Sequence, residues 1–274
     1  MSARPLTVLG VFAHPDDETW SMGGSFALLA PKGVHCAVWT ATRGEAGEIA
    51  PETGVPRERL AEVREAEERA ALAVLGVEDV TFGGFADGHV GERADDLIQA
   101  IEAALDTTRP DVVVTMEPGG VTAHPDHMAV SAATRAAFTA YVTLRGDGEL
   151  ERDVREPRLY YWGLPASKLA RFRQIAAEVG IEIPTEGEPF GPRGTPDEQF
   201  TCHVDTAAVV DLAVRALRQH RTQLGDFGGL LDRPDLLAEM FEMVDFIRIH
   251  PAPQPNDPPE SSLLEAFHGG PGNG

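Results

Sequence analysis

Short apolar runs alternate, along the first half of the chain, with longer segments whose apolar positions recur every three to four residues. The run Leu6–Phe12 reads as a buried strand, and Val34–Thr42, Asp79–Phe82 and Asp111–Met116 read as three further strands. Between them the spacing predicts helices over Trp20–Leu29, Arg57–Leu75, Arg93–Leu105 and about Pro125–Tyr141. The first ends at Pro31-Lys32-Gly33 and the second at Gly76, both ordinary helix stops. In the second, Leu60, Val63, Ala66, Ala70 and Val74 mark the expected inner stripe. Strands alternating with helices of this length call for right-handed βαβ units and a parallel sheet. The fold class is therefore α/β, a Rossmann-like three-layer sandwich with a mostly parallel sheet, and residues 1–145 form that layer.

Residues 146–274 carry a weaker pattern, read as a smaller mixed α/β portion that completes the fold and the pocket within one domain. Residues 145–156 are charged and loop-like. Strands are expected at Leu159–Leu164 and Gln199–Val204, and helices at Lys168–Val179 and Thr206–Gln223. Residues 185–196 read as a surface loop. The stretch Leu236–Ile249 mixes helix and strand signals, and the tail from Pro251 reads as extended and frayed at its end.

Composition narrows the function. The net charge of −21 argues against nucleic acid or an anionic membrane as partner. No apolar run approaches the ~20 residues that span a bilayer, and the N-terminus lacks the pattern of a signal peptide, so the expectation is a cytoplasmic enzyme. Cys36 and Cys202 are too few for a disulfide scaffold or a Cys-built zinc site. Only Lys32 and Lys168 among the 23 basic residues are lysines, which leaves little room for Schiff-base chemistry. The acidic surface does not exclude a self-associating apolar patch, so a homo-oligomer stays open.

Chemistry concentrates at two strand ends. His14-Pro15-Asp16-Asp17-Glu18 follows the first strand, where a dinucleotide-binding fold would have small glycines. His124-Pro125-Asp126-His127 follows the fourth. In a sheet of order 3-2-1-4 these ends are neighbours at the switch point where ligands bind. A single such motif is more often a helix cap or dipole partner; two at adjacent strand ends reverse those odds. A catalytic zinc needs three N/O ligands and one open position, and His14, Asp17 and His127 can supply them. Asp16 and Asp126, the latter beside His124, then remain for proton work. A two-His-one-carboxylate Fe(II) enzyme and a non-enzymatic sugar- or metal-binding module stay open at this point, as does phosphoester hydrolysis.

These paired motifs resemble those of the LmbE-like (PIG-L) family of metal-dependent N-acetylglucosaminyl deacetylases. Gly44-Glu45-Ala46-Gly47, Arg64-Glu65-Ala66-Glu67, Leu75-Gly76 and Ala216–Gln223 extend the resemblance. It implies zinc, or Fe²⁺ or another divalent ion, held by His14, Asp17 and His127, with Asp16 as general base. It implies that His124 polarises the carbonyl or protonates the leaving amine, with Asp126 orienting His124. It further implies that Arg64 and Asp87 hold sugar hydroxyls and that Glu45 lines the same pocket. Thr122 stands where some members carry a tyrosine. The implied substrate is a small-molecule N-acylated amino-sugar conjugate. Tyr160, Tyr161, Trp162 and His220 are candidates for the pocket wall, although such aromatics are more often core.

Overall fold

A computed structural model describes residues 4–146, 155–188, 191–225, 230 and 232–268. The charged stretch 147–154 and the end of the tail, 269–274, lie outside the described residues. One seven-stranded sheet organises the chain, in the order β3-β2-β1-β4-β5-β7-β6. Strands β1 (Thr7–Phe12), β2 (His35–Thr40), β3 (Asp79–Phe82) and β4 (Val112–Met116) are parallel in the expected 3-2-1-4 order. The C-terminal portion extends the same sheet. Strand β5 (Arg158–Trp162) pairs parallel with β4, and β7 (Met243–His250) pairs antiparallel with both β5 and β6 (Cys202–Asp205).

Alternation along β1 builds a core on each face. Val8 and Phe12 join Met22, Phe26, Leu72 and Phe246 on one side; Leu9 and Val11 join Leu97, Ile101 and Phe138 on the other. Helices α1 (Asp17–Leu29) and α2 (Leu60–Leu75) cover the first face, α3 (Ala94–Thr108) and α5 (Pro125–Gly146) the second. A single turn, α4 (Gly120–Ala123), leads into α5. Both faces of the parallel strands are thus sealed from water, as such sheets require.

Several elements depart from the sequence-based expectation. Helix α1 begins three residues early, which brings Asp17 and Glu18 into its first turn. Helix α2 is rotated from the expected stripe: its buried face runs through Leu60, Arg64, Glu68, Ala71, Leu72 and Leu75. Apolar spacing misjudged the phase because two charged side chains point inward. The helix expected over 206–223 is shorter. A 3₁₀ turn, Ala207–Val209, precedes α7 (Val210–Leu217), and the chain then turns so that Thr222 reaches Glu67 through N–H (2.9 Å) and Oγ1 (2.6 Å). The mixed stretch resolves into helix α8 (Pro234–Phe241) followed by β7, while α6 spans Ala166–Glu178.

The tail is docked well past Pro251. Leu263 and Leu264 belong to the core, just ahead of the short helix α9 (Glu265–His268). Glu260 is buried and accepts hydrogen bonds from Arg158, from Tyr160 Oη (2.8 Å) and from Arg248 Nη1 (2.7 Å). Truncating it removes the carboxylate that Arg158 and Arg248 share, leaving Arg248 its second pair with Asp257 (2.8 Å), and breaking such a buried pair costs about 3–5 kcal/mol. Glu260→Ala should therefore lower the thermal unfolding midpoint by many degrees. An unchanged midpoint would show that this carboxylate does not anchor the tail.

Candidate metal centre

The carboxyl ends of β1 and β4 face each other across the switch point, and their following residues meet there. His14 Nδ1 lies 3.0 Å from His127 Nε2 and 3.8 Å from Asp17 Oδ2. His127 Nε2 is 3.4 Å from Asp17 Oδ1. Ligand atoms each about 2.0–2.1 Å from one zinc at the tetrahedral angle lie about 3.3 Å apart. The two ring nitrogens and the two Asp17 oxygens therefore stand 3.0 to 3.8 Å apart, close to the spacing that one tetrahedral ion needs, and the three residues fit a divalent metal.

The opposite edge of each ring is tied to the protein. His127 Nδ1 donates to Gly120 O (3.0 Å), which leaves Nε2 as the lone-pair nitrogen. His14 Nε2 faces Asp87 Oδ1 (3.0 Å) and Asp126 Oδ2 (3.3 Å), so Nδ1 is its ligand nitrogen. Such carboxylate–histidine pairs fix the tautomer and raise ligand basicity. Asp17 Oδ2 accepts from His14 N (2.9 Å) and Ala13 N (3.2 Å), so the same loop that carries one ligand orients the other. Burial disfavours a charged His14, yet Asp126, Asp87 and Asp17 outweigh it and raise its pKa to about 10.

Asp126 and Asp87 differ from their expected duties. The Asp126 carboxylate accepts from Gly88 N (2.7 Å) and Val90 N (3.1 Å) and faces His14, whereas His124 Nδ1 accepts from the Asp126 backbone N–H (3.2 Å). Asp87, expected on sugar hydroxyls, accepts from Ala46 N (2.8 Å) and braces His14. Its pKa falls to about 2 because that histidine and the Ala46 N–H outweigh the penalty of burial. Glu45 accepts from Asp87 N (3.0 Å).

Arg64, also expected on the sugar, is buried and engaged. Its guanidinium donates to Pro15 O (2.6 Å), Gly44 O (2.9 Å) and Asp16 Oδ2 (3.2 Å). A Cβ on Gly44, whose φ is +67°, would sit 2.4 Å from that guanidinium; this close wrap is why the loop carries glycine there. Asp16 takes φ 116°, a strained value for a non-glycine residue. Burial raises its carboxyl pKa, Asp17 and Glu18 add to the rise, Arg64 and His220 oppose it, and the result is about 6.

Sequence reasoning missed what holds that strained backbone. Glu18 is fully buried; one oxygen accepts from Asp16 N (2.9 Å), the other from Thr19 Oγ1 (2.7 Å), and that oxygen lies 3.2 Å from His220 Nε2. His220 had been placed among possible pocket aromatics. The only signal was its membership of the Ala216–Gln223 stretch. Tyr160 and Tyr161 are core, and Trp162 lines a cavity beside the metal set. A second strained segment precedes His124, with Gly120, Val121 and Ala123 at φ 68°, 59° and 55°. His124 stacks its ring 4.9 Å from that of His127 and meets that of His14 edge-on at 4.7 Å.

The fold and the site together define a class: an α/β enzyme with a cluster of histidines and aspartates able to hold a divalent ion at the switch point of a Rossmann-like sheet. Comparison with known proteins places the chain within it. The family model for GlcNAc-PI de-N-acetylases (PIG-L) matches residues 9–138. A 1D-myo-inositol 2-acetamido-2-deoxy-alpha-D-glucopyranoside deacetylase from Thermomonospora curvata is 34% identical, over 98% of this chain and 99% of that protein. The chain belongs to the PIG-L family. Among solved structures, the N,N'-diacetylchitobiose deacetylase of Pyrococcus horikoshii shares the fold with a TM-score of 0.61 at 20% identity, covering 91% of this chain and 87% of that one. So does GalB, the 4-carboxy-2-hydroxymuconate hydratase of Pseudomonas putida, with a TM-score of 0.61 at 18% identity over 92% and 99%.

Because Asp87 braces a ligand, Asp87→Asn should weaken metal affinity by about 10–100-fold. Competition with a chelator measures this directly. Unchanged metal affinity, with only a higher KM for substrate, would return Asp87 to the sugar.

Proposed function

We propose that this chain is a zinc-dependent hydrolase that removes the N-acyl group, such as acetyl, from a small-molecule amino-sugar conjugate. The observation that carries this reading is the pair left over beside the ligand set. Asp16 and His124 are not needed to hold a metal, and they have the properties of a base and an oxyanion donor. An oxygenase or a binding module would leave both idle.

Zinc, when bound by His14, Asp17 and His127, supplies Lewis acidity and lowers the pKa of its water from about 15.7 to about 7. Asp16 takes the proton from the attacking water; a carboxyl with a pKa near the working pH suits that task. As the acyl carbon–oxygen bond forms and the carbon–nitrogen bond breaks, the protonated Asp16 returns the proton to the amine. Arg64 holds the Asp16 carboxylate in place through the interaction at 3.2 Å. His124 acts as a neutral donor. Burial lowers its pKa first, the charge on His14 and His127 adds to this, and the value falls to about 4. With Nδ1 accepting from Asp126 N, the proton of the neutral ring sits on Nε2, ready for the carbonyl oxygen as negative charge develops. No described helix is long and apolar enough to cross a membrane.

Asp16→Asn should retain full metal content and lower kcat on an N-acetylglucosaminide by about 10²–10⁴-fold. His124→Ala should lose about 10²–10³-fold, again with metal retained. Near-full turnover in either variant would remove that residue from the mechanism. Activity of the wild type should also fall as pH drops through about 6, where Asp16 gains its proton. Arg64 stabilises the charged form of Asp16, so Arg64→Gln should move that acid limb to higher pH; a limb that stays put would assign it to another group.

A further inference from the structure

A cavity of about 480 Å³ opens beside the metal set, with Asp17 and His127 at its edge. The rest of its wall comes largely from the C-terminal portion, and it is apolar: Trp162, Leu164, Phe172, Ile175 and Phe241 line it together with Trp20 of α1. Its charged lining residues are Lys168, Arg171, Glu239 and Glu242. Arg171 and Glu239 pair with each other across α6 and α8, at 2.6 and 2.8 Å. Lys168 donates to Met243 O (2.7 Å) and pairs with Asp245, and Glu242 is exposed. Among the described residues, the charges of this wall are therefore satisfied within the protein or turned to solvent.

The polar residues that the family resemblance assigns to the sugar are elsewhere. Arg64, Asp87 and Glu45 do not line this cavity, and each is engaged by the loops around His14 and Asp16. An acetyl group beside the metal would leave most of the space unfilled. Apart from the paired charges and the metal set, Thr122 and the exposed Glu242 are the polar side chains of this wall, so a cyclitol aglycone would find few partners for its several hydroxyls, and unpaired polar groups are costly to bury. An apolar chain has the opposite fit, since each methylene it places there leaves water.

We infer that the preferred substrate is an N-acylated amino sugar bearing an extended apolar group within a few bonds of the scissile amide. That group is either an acyl chain longer than acetyl or a lipophilic aglycone, and a cyclitol conjugate is disfavoured. The inference rests on the reading of the site as an N-acyl hydrolase. The reaction is unchanged: water adds to the acyl carbon, the carbon–nitrogen bond breaks, and a carboxylate and a free amine leave.

Four substrates separate the sources of the chain when offered to zinc-loaded enzyme. They are methyl N-acetylglucosaminide, its N-octanoyl counterpart, octyl N-acetylglucosaminide and the 1D-myo-inositol N-acetylglucosaminide. Each buried methylene contributes about three- to fourfold. One of the two chain-bearing substrates should therefore exceed the methyl N-acetyl compound in kcat/KM by at least about 30-fold. Which one does so identifies the acyl chain or the aglycone as the occupant. Phe172→Glu should bring that ratio down toward one. Equal rates for both chain-bearing substrates and the short one, or a cyclitol conjugate that outruns them all, would overturn the inference. A second readout does not depend on turnover. Trp20 and Trp162 line the cavity, so the metal-free protein should show a saturable change in tryptophan fluorescence with one octyl-bearing ligand, at concentrations at least about 30-fold below those for the methyl compound. No such change overturns the inference whatever the kinetics show. Failure to hydrolyse all four substrates, with the fluorescence change present, would instead contradict the hydrolase reading and leave the apolar site standing.

Discussion

A crowd of carboxylates buried around one histidine constrains the rest of the site. Asp17, Asp87 and Asp126 all face His14 within 3.8 Å, and Asp16, Glu18 and Glu68 lie just beyond them. Like charges at such separations, in a region closed to water, are tolerated only around a fixed positive centre. In the metal-free protein His14 supplies it by keeping its proton to about pH 10. A divalent ion at His14, Asp17 and His127 supplies it more strongly. The neighbouring groups respond according to their own partners. Arg64 tempers the rise of Asp16, His220 keeps Glu18 charged, and Glu68, with only Thr40 donating to it, is pushed well up toward its neutral form.

That arrangement separates two adjacent carboxylates by function. Asp17 sits in the first turn of α1, with one oxygen fixed by the backbone of the preceding loop. Asp16, one residue earlier, is turned the other way by its positive φ, which the Glu18–His220 pair holds from beneath. The strain is thus located at Asp16, the proposed base, next to Asp17, the proposed metal ligand. The fold by itself does not dictate this chemistry, because a hydratase shares it at a TM-score of 0.61.

How much was legible in the sequence follows from how local each signal is. Strands β1 and β4 announce themselves as apolar runs, and their His-Pro-Asp ends follow directly, so the sheet order and the meeting of the two motifs could be read. Duties that depend on long-range orientation could not. Asp126 was matched to His124, its neighbour in sequence, whereas folding turns it onto His14. Arg64, expected on sugar hydroxyls, lies on the buried face of a helix whose apolar stripe is offset from that face. His220 reaches Thr19 across 201 residues, and Glu18 beside it, and no local pattern encodes that pairing. The tail looked unstructured because its anchor is one glutamate, Glu260, answering Arg158 and Arg248 from distant strands. The apolar cavity was least legible of all, since its wall is assembled from elements that carry no shared motif.

In the proposed mechanism one ion is held by His14, Asp17 and His127, while Asp16 and His124 act on the water and the carbonyl rather than as ligands. A crystal structure of the zinc-loaded protein, with the metal located by anomalous scattering, tests it most directly. Two other groupings converge on His14 here, one with His124 and His127 and one with Asp87 and Asp126. The account predicts zinc about 2.0–2.2 Å from His14 Nδ1, His127 Nε2 and an Asp17 oxygen. Zinc bound instead through His14 Nε2 with Asp87 and Asp126, or with His124 as a ligand, would contradict it.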